Sequence, residues 1–202
     1  MFIAFICALA HVYVFISTRL FAQNGYFLNK QLGFDVVGAV ISSLNNASLN
    51  NSDRVLIQSE DSAVLKSLNQ SANYTLAYRV ADINVTVTPD VVKQIKALAT
   101  YATLPRGLIQ PTFDAYLLNK TNVVDLFHAG NMSVFVSFLR NVFVTIPNDY
   151  ESDPTSEIAT MVEVFQVDGL ITKFPATAKA YLSMFSLSLS LSLYMLCYAL
   201  VS

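Results

Sequence analysis

The sequence contains few charged residues and few cysteines, and each shortage excludes a class of protein. Only 13% of the 202 residues are charged, the net charge is −2, and Lys and Arg form no cluster. A nucleic-acid-binding surface and a polybasic membrane patch both need such a cluster, so both are excluded. The two cysteines, Cys7 and Cys197, lie near opposite ends of the chain, which excludes a disulfide scaffold and a cysteine-rich zinc site.

Hydrophobic residues make up 54% of the chain, but they are distributed unevenly. Every charged residue lies between Arg19 and Lys179. We interpret 1–18 as an apolar leader, which is a signal peptide, an anchor or an artefact of the gene model. The Ser- and Leu-rich tail 183–202 is a signal for a glycosylphosphatidylinositol (GPI) anchor, a weak membrane span or translated non-coding sequence. Residues 19–182 between them have the composition of a globular domain.

Potential N-glycosylation sites are frequent in the middle of the chain. Seven asparagines match the N-x-Ser/Thr pattern without proline: Asn46, Asn50, Asn69, Asn73, Asn84, Asn119 and Asn131. This density favours a glycoprotein of the secretory pathway, located at the plasma membrane, outside the cell or in a cell wall.

Short β-branched runs alternate with helical patterns through the middle of the chain. Helix starts are predicted where Ser59 acts as N-cap, at Pro89, and where Asp153 acts as N-cap before Pro154. A further helix is predicted to end with Gly130 in a left-handed C-cap. Strands are predicted from runs of apolar residues at 54–58, 74–80, 107–110 and 134–139, and a strand followed by a turn is predicted at 168–175.

A strand followed by a helix, repeated along the chain, predicts parallel strands joined by helical crossovers. The strands lack a regular polar and apolar alternation, as expected when both faces of a sheet are covered. The fold class is therefore α/β, either a doubly wound sheet or part of an eight-stranded barrel. No glycine-rich nucleotide-binding motif follows any strand, so the nucleotide-binding forms of these folds have no support.

Several strings of the sequence resemble successive elements of the plant glycerophosphodiester phosphodiesterase-like proteins. In chain order they are Leu32–Val40, Arg54–Leu65, Lys120–Val124, Val134–Phe143, Asp149–Ala159 and Val167–Ala178. The resemblance implies a partial TIM-type β/α barrel comprising the later strands of one such domain. It also implies a cell-surface or cell-wall protein, often with a GPI anchor, that acts in lipid and phosphodiester metabolism.

The resemblance also implies a chemistry, most of whose residues this sequence does not contain. In the family, a His-Arg-Gly motif, a Glu-x-Asp pair, a further His and a Glu bind a divalent Ca²⁺ or Mg²⁺ and move protons. Glycerophosphodiesters are thereby hydrolysed to glycerol 3-phosphate and an alcohol. This sequence has no His-Arg-Gly motif and no Glu-x-Asp pair on a predicted strand, and Gln23 aligns with the family Glu as a weak metal ligand.

Three residues at predicted strand ends are candidates for substrate binding, because barrel enzymes build their sites there. Ser59 follows the strand 54–58, although a helix N-cap is its simpler role. Arg140 ends a later strand and offers a two-pronged contact to phosphate. Lys173 stands where the family often has an acid, and faces either phosphate or solvent. His11 lies in the leader, and we assign His128 a structural role at a helix end.

Two functions follow as hypotheses. The first is a glycerophosphodiester phosphodiesterase that is catalytically incomplete in this sequence, with a glycerophosphodiester as its partner. The second is a non-catalytic, glycosylated cell-surface or cell-wall protein, favoured by the missing histidines and by Gln23.

Overall fold

The computed structural model describes residues 18–22, 25–48, 55–71 and 74–183. Eight strands occur in this part of the chain: β1 (Thr18–Ala22), β2 (Val55–Ser59), β3 (Thr75–Arg79), β4 (Tyr101–Pro105), β5 (Thr112–Phe113), β6 (Tyr116–Leu117), β7 (Ser133–Leu139) and β8 (Gly169–Thr172). The helices are α1 (Gly25–Leu32), α2 (Val36–Asn46), α3 (Ser62–Ser71), α4 (Pro89–Lys96), α5 (Arg106–Ile109), α6 (Val123–Ala129) and α7 (Pro154–Ala159). A π-helical turn, Thr160–Val164, extends α7, and a final helix covers 175–183.

Six strands form one parallel sheet in the order β1-β2-β3-β4-β7-β8, while β5 and β6 form a small antiparallel hairpin. Each strand of the sheet pairs with the next one along the chain, so the strand order never reverses. A doubly wound sheet requires such a reversal, whereas a β/α barrel does not. The prediction of an α/β fold with part of a TIM-type barrel is confirmed, and the doubly wound alternative is wrong.

The two faces of the sheet are buried differently. Residues such as Ile57, Leu76 and Val134 point to the outer face, where they join the large clusters formed with the helices. A small cluster occupies the inner face and contains Leu56, Ala77, Phe135 and Ile171. Because both faces are covered, the strands read as continuous apolar runs instead of alternating ones.

Two helices begin where the sequence predicts. Thr88 caps α4 and Pro89 occupies its first turn, where a missing N–H costs nothing. The Asp153 carboxylate accepts hydrogen bonds from the Thr155 and Ser156 amides at 2.8 and 3.2 Å. These bonds, the one from Thr155 above all, lower the pKa of Asp153.

One predicted helix cap and one predicted strand are wrong. Asp61, not Ser59, caps α3, since its Oδ1 accepts the Ala63 amide at 2.9 Å. The run 107–110 lies mostly in α5, while the adjacent strand is Tyr101–Pro105. Pro105, the last residue of β4, has no N–H to continue the hydrogen-bond ladder of the sheet, and α5 begins directly after it.

The predicted left-handed cap at Gly130 is also wrong. Gly130 has φ −76°, and the left-handed residue is Asn131, with φ +56°. The glycine serves a different purpose, because a Cβ at this position would lie 2.5 Å from Cγ1 of Val92 on α4. It lets two helices approach closely.

The predicted leader and tail lie almost entirely outside the described residues. Within the part of the chain that the structure describes, no helix is long and apolar enough to cross a membrane.

Candidate functional site at the carboxyl end of the sheet

The inner face of the sheet changes from apolar to polar towards the carboxyl ends of its strands. Its apolar floor includes Phe135, on which the Tyr101 ring stacks at 4.9 Å between centroids. Strand register places four polar residues on the same face, nearer the carboxyl ends: Gln58, Arg79, Thr103 and Ser137. We call these four residues the polar layer. β/α barrels build their active sites at this end, so the polar layer is the candidate site.

Arg79 supplies the positive charge of the polar layer. Its Nη1 lies 3.4 Å from Oε2 of Glu60, and its guanidinium lies 5.7 Å from the centroid of the Phe138 ring. The register shift between β7 and β8 at this point is a bulge, which turns Phe138 towards the inner face. A guanidinium can stack on an aromatic ring, and its planar set of donors also matches the oxygens of a phosphate group.

Two hydroxyl groups follow on the next two strands of the sheet, Thr103 on β4 and Ser137 on β7. The Ser137 hydroxyl donates to the Leu104 carbonyl at 3.4 Å. Thr103, which pairs with Arg79 in the sheet, is completely buried, and its Oγ1 has no hydrogen-bond partner among the described residues. A buried hydroxyl without a partner is costly in a folded protein and often marks a functional position.

The acids near the polar layer do not form a metal site. Glu60 and Asp61 follow β2, and together with burial, which is the larger cause, they raise the pKa of Tyr78. Glu60 is already paired with the Arg79 cation, which opposes a second cation. Among the described residues no three acidic, histidine or cysteine side chains come together. The described residues therefore do not fit the divalent ion that the resemblance implies.

The three substrate-binding candidates all lie at the carboxyl end of the sheet. Ser59 is the last residue of β2 and is completely buried, and its Oγ accepts the Asp61 amide at 3.1 Å. Arg140 directly follows β7, and Lys173 directly follows β8; both are exposed. Their contact with a substrate stays a prediction. Gln23, the candidate metal ligand, lies outside the described residues.

None of the four residues of the polar layer was predicted from the sequence. Arg79 is the last residue of a predicted strand, but its direction depends on the register between strands, which a single sequence does not give. The sequence does indicate one relation, because side chains two residues apart on a strand point to the same face. Arg79 lies two residues after Ala77 and therefore shares its face.

His128 belongs to the opposite end of the sheet. Its Nε2 lies 2.9 Å from Oδ2 of Asp168, which also accepts the Val134 amide at 2.7 Å. Val134 is the second residue of β7 and Asp168 directly precedes β8, so this bracket of three residues joins α6 to the amino ends of two strands. Residues at this end of a barrel stabilise it, in agreement with the structural role that we assigned to His128.

A buried ion pair supports the loops above β4. Nε of Arg106, the first residue of α5, lies 3.3 Å from Oε1 of Glu157 on α7. Burial of the Glu157 side chain raises its pKa to about 7, although Arg106 acts in the opposite direction. Nearby, the Tyr150 hydroxyl donates to Oε1 of Gln110 at 2.6 Å. These contacts join the segment that follows β4 to α7 and to the turn before it.

The sheet order, the helical crossovers and a polar layer at the carboxyl ends define a segment of a TIM-type β/α barrel. Two solved structures share this fold. The chain matches a putative glycerophosphodiester phosphodiesterase from Galdieria sulphuraria with a TM-score of 0.55, covering 83% of this chain and 57% of that one at 16% identity. A putative glycerophosphoryl diester phosphodiesterase from Silicibacter pomeroyi gives a TM-score of 0.52, covering 75% and 45% at 16% identity.

Sequence relatives support the glycerophosphodiester phosphodiesterase family. The chain is 40% identical over 163 residues to the glycerophosphodiester phosphodiesterase GDPDL7 of Arabidopsis thaliana, which covers 79% of this chain. It is 31% identical over 177 residues to GDPDL1 of the same plant, which covers 86% of this chain. The chain spans only 22% and 23% of the length of these relatives. No family model matches the chain.

Proposed function

We propose that this chain is a segment of a glycerophosphodiester phosphodiesterase-like barrel whose polar layer binds the phosphodiester of the substrate. The observation that carries the proposal is Arg79, a guanidinium on the inner face at the carboxyl end of β3. A phosphodiester carries one negative charge and several acceptor oxygens, which suit guanidinium and hydroxyl donors. The curated relatives support the choice of a glycerophosphodiester over another phosphodiester.

The reaction of a complete site is hydrolysis, in which water adds to phosphorus and the bond to the alcohol breaks. The products are glycerol 3-phosphate and the alcohol. We propose that this sequence binds the substrate without hydrolysing it, because it has no His-Arg-Gly motif and because its Glu-x-Asp string, Glu151–Asp153, lies in a turn and not on a strand. No described histidine lies at the carboxyl end of the sheet to move a proton, since His128 is part of the bracket at the amino end.

Phosphorus NMR of the full chain with glycerophosphocholine tests both parts of this proposal. With Ca²⁺ or Mg²⁺ present, we expect the substrate resonance to broaden as the protein is added, while no glycerol 3-phosphate resonance grows. Growth of that resonance above a metal-free control would show that the chain is catalytically complete. A substrate resonance that stays sharp would contradict the binding role.

We further propose that the protein is glycosylated and enters the secretory pathway, at the membrane or in a cell wall. Five of the seven sequon asparagines are in the described part of the chain, and all five are exposed: Asn46, Asn69, Asn84, Asn119 and Asn131. Asn50 and Asn73 lie outside it. The same exposure supports the alternative function, a non-catalytic cell-surface protein.

After expression in plant cells, the protein should lose mass when treated with an N-glycosidase, and an unchanged mass would refute the glycosylation proposal.

A further inference from the structure

The loops that follow β7 and β8 expose apolar side chains at the carboxyl end of the sheet. Four residues form what we call the apolar rim: Val142, Phe143 and Val144 after β7, and Phe174 after β8. Phe143 and Val144 are 74% and 86% exposed. Single exposed apolar residues are normal in a folded protein, but several of them on one surface mark contact with a partner or a membrane.

Hydrogen bonds hold the two loops side by side. The Thr172 hydroxyl at the end of β8 donates to the Leu139 carbonyl at the end of β7, at 3.0 Å. Further along both loops, Nδ2 of Asn141 donates to the Thr177 hydroxyl at 2.5 Å. The apolar rim is therefore one surface built from two loops.

The backbone of the first loop satisfies its own polar groups where the apolar rim is most exposed. The Thr145 amide and hydroxyl both donate to the Val142 carbonyl at 2.8 Å, which closes a 3₁₀ turn. Ile146 is buried and anchors this turn, while the residues before it remain exposed. A turn with internal hydrogen bonds can enter an apolar medium at lower cost than an open loop.

Two cations lie beside the apolar rim. Arg140 precedes Val142 by two residues, Lys173 directly precedes Phe174, and both cations are exposed. Within the part of the chain that the structure describes, neither forms an ion pair. The segments 140–147 and 173–178 contain no acidic residue. The surface therefore combines apolar side chains with uncompensated positive charge.

An anionic lipid bilayer is complementary to this combination. Its apolar interior accepts aromatic and aliphatic side chains, and its phosphate groups attract Lys and Arg. A second copy of this chain is a poorer fit, because a symmetric dimer through the same surface would bring the cations of both copies together without an acid between them. The surface is also distinct from a polybasic patch, which needs four or more clustered cations.

We infer that the apolar rim, with Arg140 and Lys173, is a docking surface for an anionic lipid bilayer. Phe143 and Val144 enter the boundary between headgroups and acyl chains, while the two cations contact lipid phosphates. This attachment turns the carboxyl end of the sheet towards the bilayer. The inference goes beyond the proposed function and does not depend on binding of a glycerophosphodiester at the polar layer.

Tryptophan fluorescence tests whether the apolar rim enters a bilayer, because the chain contains no tryptophan of its own. The full chain with Phe143→Trp is mixed with vesicles of phosphatidylglycerol and phosphatidylcholine in equal parts. We expect its emission to shift to shorter wavelength, as an indole does on leaving water. Val164→Trp is the matched control, since Val164 is 55% exposed but follows Glu163 on the π-helical turn, and its emission should not shift.

Co-sedimentation with the same vesicles measures the contribution of each side chain. Phe143→Ser should lower the partition coefficient about tenfold or more, because it removes the apolar area that the bilayer buries. Arg140→Gln and Lys173→Gln should each lower it about fivefold. Lys93→Gln makes the same charge change in an exposed ion pair with Asp90 on α4, and it should bind as the original chain does.

Three results would overturn the inference while leaving the proposed function untouched. The first is an unshifted emission of Phe143→Trp with vesicles present. The second is equal partitioning of the original chain, Phe143→Ser and Lys173→Gln, which would assign any vesicle binding to another part of the chain. The third is a shift of Phe143→Trp that needs no vesicles and grows with protein concentration, which would identify a second copy of the chain as the occupant.

Discussion

At the scale of single residues, Gly130 shows how one missing side chain fixes the packing of two helices. A Cβ here would lie 2.5 Å from Cγ1 of Val92 and 3.2 Å from the Phe127 carbonyl oxygen. Gly130→Ala should therefore lower the free energy of unfolding by about 1–3 kcal/mol, as measured by urea denaturation.

Gly107→Ala is the matched control for this substitution. A Cβ at Gly107 would meet its nearest neighbour, on Ile83, at 3.8 Å, an ordinary contact. Since alanine favours helix, this variant should keep its stability or gain up to about 1 kcal/mol. Equal losses in both variants would contradict the close approach of α4 and α6.

Residue-scale predictions from the sequence succeeded where the chemistry is local. Asp153 and Pro154 start a helix through bonds to the next few amides, so the prediction did not depend on the rest of the fold. The role of Gly130 was predicted wrongly because it depends on Val92, which is distant in sequence. The role of Ser59 was predicted wrongly because α3 begins two residues later than expected, with Asp61 as its cap. Thr103 was not identified at all, because its missing partner is visible only in three dimensions.

At the scale of elements, burial of Glu157 on α7, where it contacts Arg106 on α5, makes stability depend on pH. Burial raises the pKa of Glu157 to about 7 from an ordinary value near 4.5. The folded state therefore holds a proton that the unfolded state releases between these pH values, so the contribution of Glu157 to stability falls as pH rises from about 4.5 to 7. The loss is on the order of 3 kcal/mol.

Urea denaturation at pH 4.5 and at pH 7 measures this loss. Glu157→Gln cannot titrate, so its stability should change less over this interval than that of the original chain, by about 3 kcal/mol. Glu151→Gln, which alters an exposed glutamate in the turn before α7, should keep the original pH dependence. Identical pH dependence in the original chain and Glu157→Gln would show that this carboxyl is not perturbed.

The elements of the sheet were predicted better than their connections. Strands β2, β3, β7 and β8 are buried apolar runs that any arrangement of this chain would hide, so their positions follow from composition. Strand β4 was missed because Tyr101–Pro105 ends in a proline and the apolar residues after it form a helix. Helices α1 and α2 gave no clear signal beforehand.

At the scale of the whole molecule, the two ends of the sheet have separate roles. The bracket of His128, Asp168 and Val134 ties the amino ends together with satisfied hydrogen bonds. The carboxyl ends carry Arg79, with its long ion pair, and Thr103, with its unsatisfied hydroxyl. This division between a stabilising end and a binding end is typical of β/α barrels.

The α/β class could be predicted from the repeated strand and helix pattern, but the choice between a barrel and a doubly wound sheet could not. That choice depends on which strands pair, and the sequential order from β1 to β8 decides it. The resemblance of six strings to one family indicated the same answer, and the Arabidopsis relatives support it.

Hydrogen–deuterium exchange of the full chain with and without saturating glycerophosphocholine tests the central claim most directly, because it locates the bound ligand. We predict slower exchange after β2 and β3, in peptides that contain Asp61 and Val80, and no change near the amino-end bracket at Val134. Protection confined to the amino ends of the strands, or no protection anywhere, would contradict the claim that this barrel segment binds a glycerophosphodiester at its polar layer.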